Sequence, residues 1–179
     1  MNREEFQYLD TIRNIVDCGI SSNDRTGVGT KYLIGQTFKY DLTGNKIPIW
    51  TTRKIPWKNQ VWELIWFLRG QTDVRWLQDR GVNIWNSWVK PDGTIGPGYG
   101  KQWRRWETFD PKHSMYSDIS KQQFYPKKTI DQFSLLVEGI KQNPDSRRHV
   151  VTLWNPADMN DCVLPCCHGN IIQFIVEDR

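Results

Sequence analysis

With 179 residues the chain is long enough for one domain with its own core, or for a large part of a bigger one, so it needs no disulfide staples. Its 24 basic and 20 acidic residues leave a formal charge of +4, too even for an electrostatic footprint on a nucleic acid polymer and better matched to a small anionic ligand. The opening MNREEFQYLD lacks the apolar core of a secretory signal, and the most apolar run, VWELIWFL at 61–68, contains Glu63 and falls well short of the roughly 20 residues that cross a bilayer. These features point to a cytoplasmic protein with no membrane partner, where cysteines are more often catalytic or metal-binding than cross-linked.

Phe6, Leu9, Ile12 and Val16 recur at helical spacing and stop at Gly19, which predicts a helix over 4–18. The polar, turn-rich SSNDRTGVGT at 21–30 reads as a loop leading into a strand over 31–42, where Tyr32, Ile34, Phe38 and Tyr40 alternate. After Pro56, Val61, Leu64, Ile65 and Leu68 mark one helical face and Trp62 and Trp66 another, so an interior helix with a largely buried Glu63 is expected. Residues 81–106 read as structured loop, and the polar stretch 107–128 as a surface insertion. Phe133, Leu136, Val137 and Ile140 predict a further helix closed by NPDSRR, and HVVTLW and NIIQFIV read as strands. Most of the ten tryptophans fall inside apolar patterns, which suits packing better than base stacking.

Two segments bear on chemistry. In VLPCCHGN at 163–170, Cys166 and Cys167 adjoin His168. A disulfide between neighbours is strained, because adjacent Cα atoms are about 3.8 Å apart while disulfides prefer about 4.4–6.8 Å. Structural zinc sites pair two ligand clusters, and only one is present here, so no metal is expected. Inert core thiols and a nucleophile activated by a nearby cation remain open on the octapeptide alone. Arg147 and Arg148, across a predicted strand, are within conceivable reach. DRTGVGT at 24–30 fits neither a Walker loop nor a dinucleotide fingerprint; it sets Arg25 in a glycine-rich loop, where a guanidinium either grips a phosphate or is simply solvated.

The ordered string DRTGVGT, WELIWFLRG, VNIWNSW, GPGYGKQWR, DQ at 131–132, NPDSRR, LWNP and LPCCH resembles the N-terminal two-thirds of a thymidylate synthase. The family places a cysteine followed by histidine twelve residues after an asparagine; from Asn155 that position is Cys167, and Cys166 stands where a second proline is usual. The spacing from Cys167 to Gln173 is one residue longer than the family's. The resemblance implies an α/β (α+β) fold with a large mixed sheet flanked by helices, in a single domain, and a homodimer packed through that sheet. It also implies one-carbon transfer from 5,10-methylenetetrahydrofolate to C5 of dUMP, with Cys167 adding at C6. In that reading Arg25 holds the nucleotide phosphate, joined by Arg147 and Arg148 of a second subunit. Glu63 steers protons, Tyr99 joins the proton network at C5, His168 accompanies the cysteine, and Trp85 and Trp88 line the folate side. Trp62 and Asn86 replace a histidine and an aspartate common in the family. A dUMP or dCMP hydroxymethylase, which uses the same folate and cysteine, and a truncated homologue without turnover are the alternatives. The family's pattern continues beyond Arg179, so an incomplete pocket is expected.

Overall fold

The computed structural model describes residues 3–24, 27–109 and 127–176. Arg25, and all of the polar 107–128 insertion except its strand-forming ends, lie outside these. The chain divides into two compact units, residues 1–57 and 58–179.

In the first unit, α1 (Phe6–Cys18) is followed by a short antiparallel ladder of β1 (Ile20–Ser22) and β2 (Thr30–Tyr32). The long strand expected over 31–42 stops at Tyr32, because Gly35 takes φ +73°, a left-handed conformation that breaks an extended run despite the alternating apolar residues. This unit is held at one point by Glu5, whose buried carboxylate accepts the backbone N–H and hydroxyl of Thr51 at 2.7 Å each and of Thr52 at 2.9 Å each. Burial alone would raise the Glu5 pKa, but these four hydrogen bonds outweigh it and hold the group at about 2.

The second unit contains the core. Trp66, Phe67, Val74, Leu77, Val82, Trp85, Ile95, Tyr99, Trp103, Leu136, Val151, Leu153 and Cys166 form one apolar cluster. α2 (Trp57–Leu68) enters it by Trp66 and Phe67, whereas Val61 and Leu64 stay exposed and Glu63 is only partly buried. The helix is therefore not interior on all sides: its buried face is the aromatic one, because those rings meet Trp85, Tyr99 and Trp103. A single turn α3 (Arg75–Gln78) follows.

The segment read as structured loop contains α4 (Tyr99–Arg104) and supplies five core residues. Two glycines make its close packing possible. A Cβ on Gly100 would stand 2.5 Å from the Gln71 carbonyl oxygen, and one on Gly96, at φ +76°, would stand 2.2 Å from that of Asp161. β3 (Trp106–Phe109) and β4 (Lys127–Ile130) pair as the antiparallel stem of the polar insertion. α5 (Gln132–Gln142) starts at Asp131, whose carboxylate accepts the Ser134 N–H at 3.0 Å, a standard N-cap, and its buried Leu136 belongs to the predicted apolar face. β5 (Val150–Thr152) and β6 (Ile171–Gln173) lie within the predicted strands and pair antiparallel, Thr152 opposite Ile171 and Val150 opposite Gln173.

The architecture is thus α+β. Among the described residues the strands form three two-stranded antiparallel sheets rather than one large mixed sheet, because the runs 33–42 and 174–176 have no ladder partners.

Candidate active site

The connection from β5 to β6 runs back over α4, and it treats the two neighbouring cysteines oppositely. Cys166 is fully buried in the core cluster, and burial together with the neighbouring Cys162 pushes its thiol up to about 11. It is a neutral packing group at neutral pH. Cys167, one residue on, is exposed. Its backbone N–H donates to the Tyr99 hydroxyl at 3.1 Å, and the same hydroxyl lies 3.4 Å from its sulfur. Since that oxygen already accepts the amide, its own proton is free to point at sulfur, where a thiolate would be the stronger acceptor. Burial, and next the Cys167 contact, raise the Tyr99 pKa, so the phenol stays a donor. The ring is fixed by Phe67, stacked at 4.5 Å, and by Trp85, edge-on at 6.1 Å.

Three more of the predicted residues gather here. His168 lies against the Tyr99 ring, centroids 4.9 Å apart. Glu63 accepts the Trp85 Nε1–H at 2.8 Å. Burial raises the Glu63 pKa, opposed by that hydrogen bond and by attraction to His168. Glu63 is thus linked to the Cys167–Tyr99 pair through Trp85 and His168, and its carboxyl holds its proton more tightly than usual. Trp85 is part of the core, whereas Trp88, the last residue of the single helical turn Asn86–Trp88, is 40 % exposed.

Arg147 and Arg148 are not brought to this cluster. They are exposed in the turn before Val150, which pairs with Gln173, while Cys167 precedes Ile171, which pairs with Thr152. They therefore sit at the opposite end of the β5–β6 ladder from the connection that carries Cys167. Among the described residues neither guanidinium has a hydrogen bond or ion pair; Arg147 engages through its carbonyl, to Gln173, and Arg148 through its N–H, to Ser146, and its carbonyl, to the Val150 N–H. Trp62 packs edge-on against Trp76 at 5.9 Å with the Arg80 guanidinium over both rings, and Asn86 bonds to Gln78 and Asn83. Sequence reading missed Asp158, which ties the cysteine loop to α4 through partners more than fifty residues away in the chain.

Among the described residues no three His, Cys, Asp or Glu side chains are grouped to hold a metal, and no helix is long and apolar enough to cross a membrane. In comparison with known families, the model of the thymidylate synthase family matches residues 6–179.

Proposed function

The chain belongs to the thymidylate synthase family, whose general reaction is folate-dependent one-carbon transfer, and from that premise we propose that it converts dUMP to dTMP with 5,10-methylenetetrahydrofolate as co-substrate. C5 of uracil is a poor nucleophile until a thiolate adds at C6 and turns the ring into an enolate, so covalent catalysis divides one hard step into easier ones. Cys167 is the group that adds. The folate supplies the carbon and then a hydride, leaving as dihydrofolate. Glu63 moves protons at the base and the folate, Tyr99 acts at C5 and on the attacking sulfur, and His168 completes the cluster. Trp85 and Trp88 line the folate side.

What carries this reading is the Tyr99 hydroxyl poised on an exposed Cys167 while Cys166 is buried and neutral. Of the two thiols only Cys167 is exposed to a substrate, and it has the Tyr99 hydroxyl beside its sulfur. For the phosphate we propose Arg25 from the same chain and Arg147 and Arg148 from a second copy. The Arg147 and Arg148 guanidiniums, without a hydrogen bond or ion pair among the described residues and at the far end of the β5–β6 ladder from the Cys167 connection, suit a homodimer in which each chain completes the other's site. The exposed apolar residues Val150 and Ile171 on the β5–β6 ladder suit such packing, with a larger mixed sheet in the assembled cytoplasmic enzyme.

Incubation with 5-fluoro-deoxyuridylate and methylenetetrahydrofolate tests the proposal: a covalent adduct on Cys167, found by mass analysis of the peptide, is expected. No adduct would leave a homologue that binds without turnover. With dUMP itself, a methyl product accompanied by dihydrofolate is expected; a hydroxymethyl product with tetrahydrofolate would make the enzyme a hydroxymethylase.

A further inference from the structure

α4 is six residues long, too short to hold Tyr99 rigidly by its own hydrogen bonds, and the Cys167 loop is an irregular connection of some length between β5 and β6. Something else must keep the Tyr99 hydroxyl on the sulfur. The two segments are joined at three levels. Cys167 N–H meets the Tyr99 hydroxyl, Val163 N–H meets the Ile95 carbonyl at 3.1 Å, and at the base stands Asp158. One oxygen of that carboxylate accepts Lys101 Nζ at 2.6 Å and Gln102 Nε2 at 2.7 Å, both from α4, and Asn155 Nδ2 at 3.2 Å, from the cysteine connection. The Asp158 side chain is 17 % exposed and that of Lys101 14 %, so the pair is largely withdrawn from water, where charge-assisted hydrogen bonds are strongest.

We propose that Asp158 is a positioning residue for the reaction, locking the Cys167 loop onto α4 so that the Tyr99 hydroxyl stays aimed at the Cys167 sulfur. Neither Asp158 nor Lys101 touches the reacting atoms. Their effect passes through the register of one helix turn against one loop. Gln102 extends the lock in both directions: it is fully buried, its side chain also donates to the Pro97 carbonyl at 2.7 Å, and its own carbonyl accepts Gln132 Nε2 at 2.8 Å. Gln132 in turn holds Thr152, the last residue of β5, by both its N–H and its carbonyl. The strand that launches the cysteine loop and the helix turn that carries Tyr99 are thus indexed to one another.

This inference rests on Cys167 being the reacting thiol, but it is tested on the unliganded protein. The rate of iodoacetamide alkylation of Cys167 at pH 7 is followed by peptide mass analysis in a Cys18→Ser background, for Asp158→Asn, Tyr99→Phe and the double variant, with melting temperature alongside. Loss of a hydrogen bond to the attacking sulfur is expected to slow alkylation about threefold, a modest factor because the less stabilised sulfur anion is the better nucleophile. Each single variant is expected to slow it about threefold, and the double variant no further. Lys101→Met, which removes the partner charge from the other side, is expected to match Asp158→Asn and serves if that variant does not fold. Multiplying effects in the double variant, or a lowered melting temperature with an unchanged rate, would overturn the proposal. Adduct formation with 5-fluoro-deoxyuridylate is measured separately on the parent protein, so failure of the functional reading is distinguishable from failure of this one.

Discussion

The Tyr99 hydroxyl accepts the backbone N–H of Cys167 at 3.1 Å and faces its sulfur at 3.4 Å, so one oxygen fixes both the position of the thiol and its electrostatic surroundings. Tyr99→Phe keeps the ring stacked on Phe67 and removes only that oxygen. A hydrogen bond to a charged acceptor contributes about 1.5–3 kcal/mol, which corresponds to roughly 10–100-fold in the rate of the step that uses it. Single-turnover adduct formation should slow by that factor while the melting temperature changes little. An unchanged adduct rate would remove Tyr99 from the chemistry.

The neighbouring cysteines should separate stability from activity. Cys167→Ser, at an exposed position, is expected to abolish turnover and leave thermal stability near that of the parent. Cys166→Ser puts a hydroxyl in a fully buried site within the core, at a cost of about 1–3 kcal/mol in stability, and should keep most of the activity. Turnover assays beside denaturant unfolding of the two variants give the answer, and the opposite pattern would move the nucleophile to position 166.

Glu63 gives the site a defined pH response. Burial raises its pKa, and the Trp85 indole N–H, which favours the charged form, limits the rise. Removing that donor in Trp85→Phe should therefore push the pKa further up. If activity requires the ionised carboxylate, the acid limb of kcat against pH moves to higher pH; Glu63→Gln, which cannot titrate, should lose that limb. For stability the sign is the reverse of the usual carboxylate: a raised folded pKa means that Glu63 favours folding below its unfolded value near 4.5 and opposes it as pH rises through the folded pKa. Measuring unfolding of parent and Glu63→Gln on both sides of that window checks the sign.

Glu5 behaves oppositely. With four hydrogen bonds from Thr51 and Thr52 its pKa falls from 4.5 to about 2, so its contribution is fully present above pH 4.5 and is lost as pH drops toward 2. Protection of the Thr51 and Thr52 amides against hydrogen exchange should fall across that interval. Glu5→Gln should show weaker protection at neutral pH and a smaller change with acid. Equal pH dependence in both proteins would mean that another group governs the loss.

The periodic elements were legible in the sequence, because the signals for α1 and α5 are local: apolar residues recurring at helical spacing. Local signals failed where a single residue outweighs a pattern, as Gly35 does in the alternating run after β2, and where an element is too short to show a period, as in α4. The cluster of Cys167, Tyr99, His168, Glu63 and Trp85 was reached through the resemblance rather than through spacing, since these residues come from four separate stretches of chain. Nothing local distinguished the two cysteines from each other: the difference is burial, which depends on Cys166 joining the core cluster while Cys167 stays outside it. Asp158 left no trace in the sequence at all, because its meaning lies in Lys101 and Gln102, separated from it by one helix and three strands.

The separation of Arg147 and Arg148 from Cys167 along the β5–β6 ladder leads to a test that a monomeric site would fail. If each site takes its cysteine from one chain and these arginines from the other, then Cys167→Ser and Arg148→Ala homodimers are both impaired, for different reasons. Mixing the two after mild dissociation and reassociation forms heterodimers in which one site carries both lesions and the other carries neither. Activity should then recover toward one intact site per heterodimer, and with random pairing half of all dimers are heterodimers, so about a quarter of the parent activity per chain is expected on the C2 symmetry usual for such assemblies. The same mixture made from Cys167→Ser and Tyr99→Phe chains should show no such recovery, because those two residues belong to one chain's cluster and every heterodimer site keeps one lesion. Recovery in neither mixture would place the arginines outside the shared site and leave the phosphate to groups of the same chain.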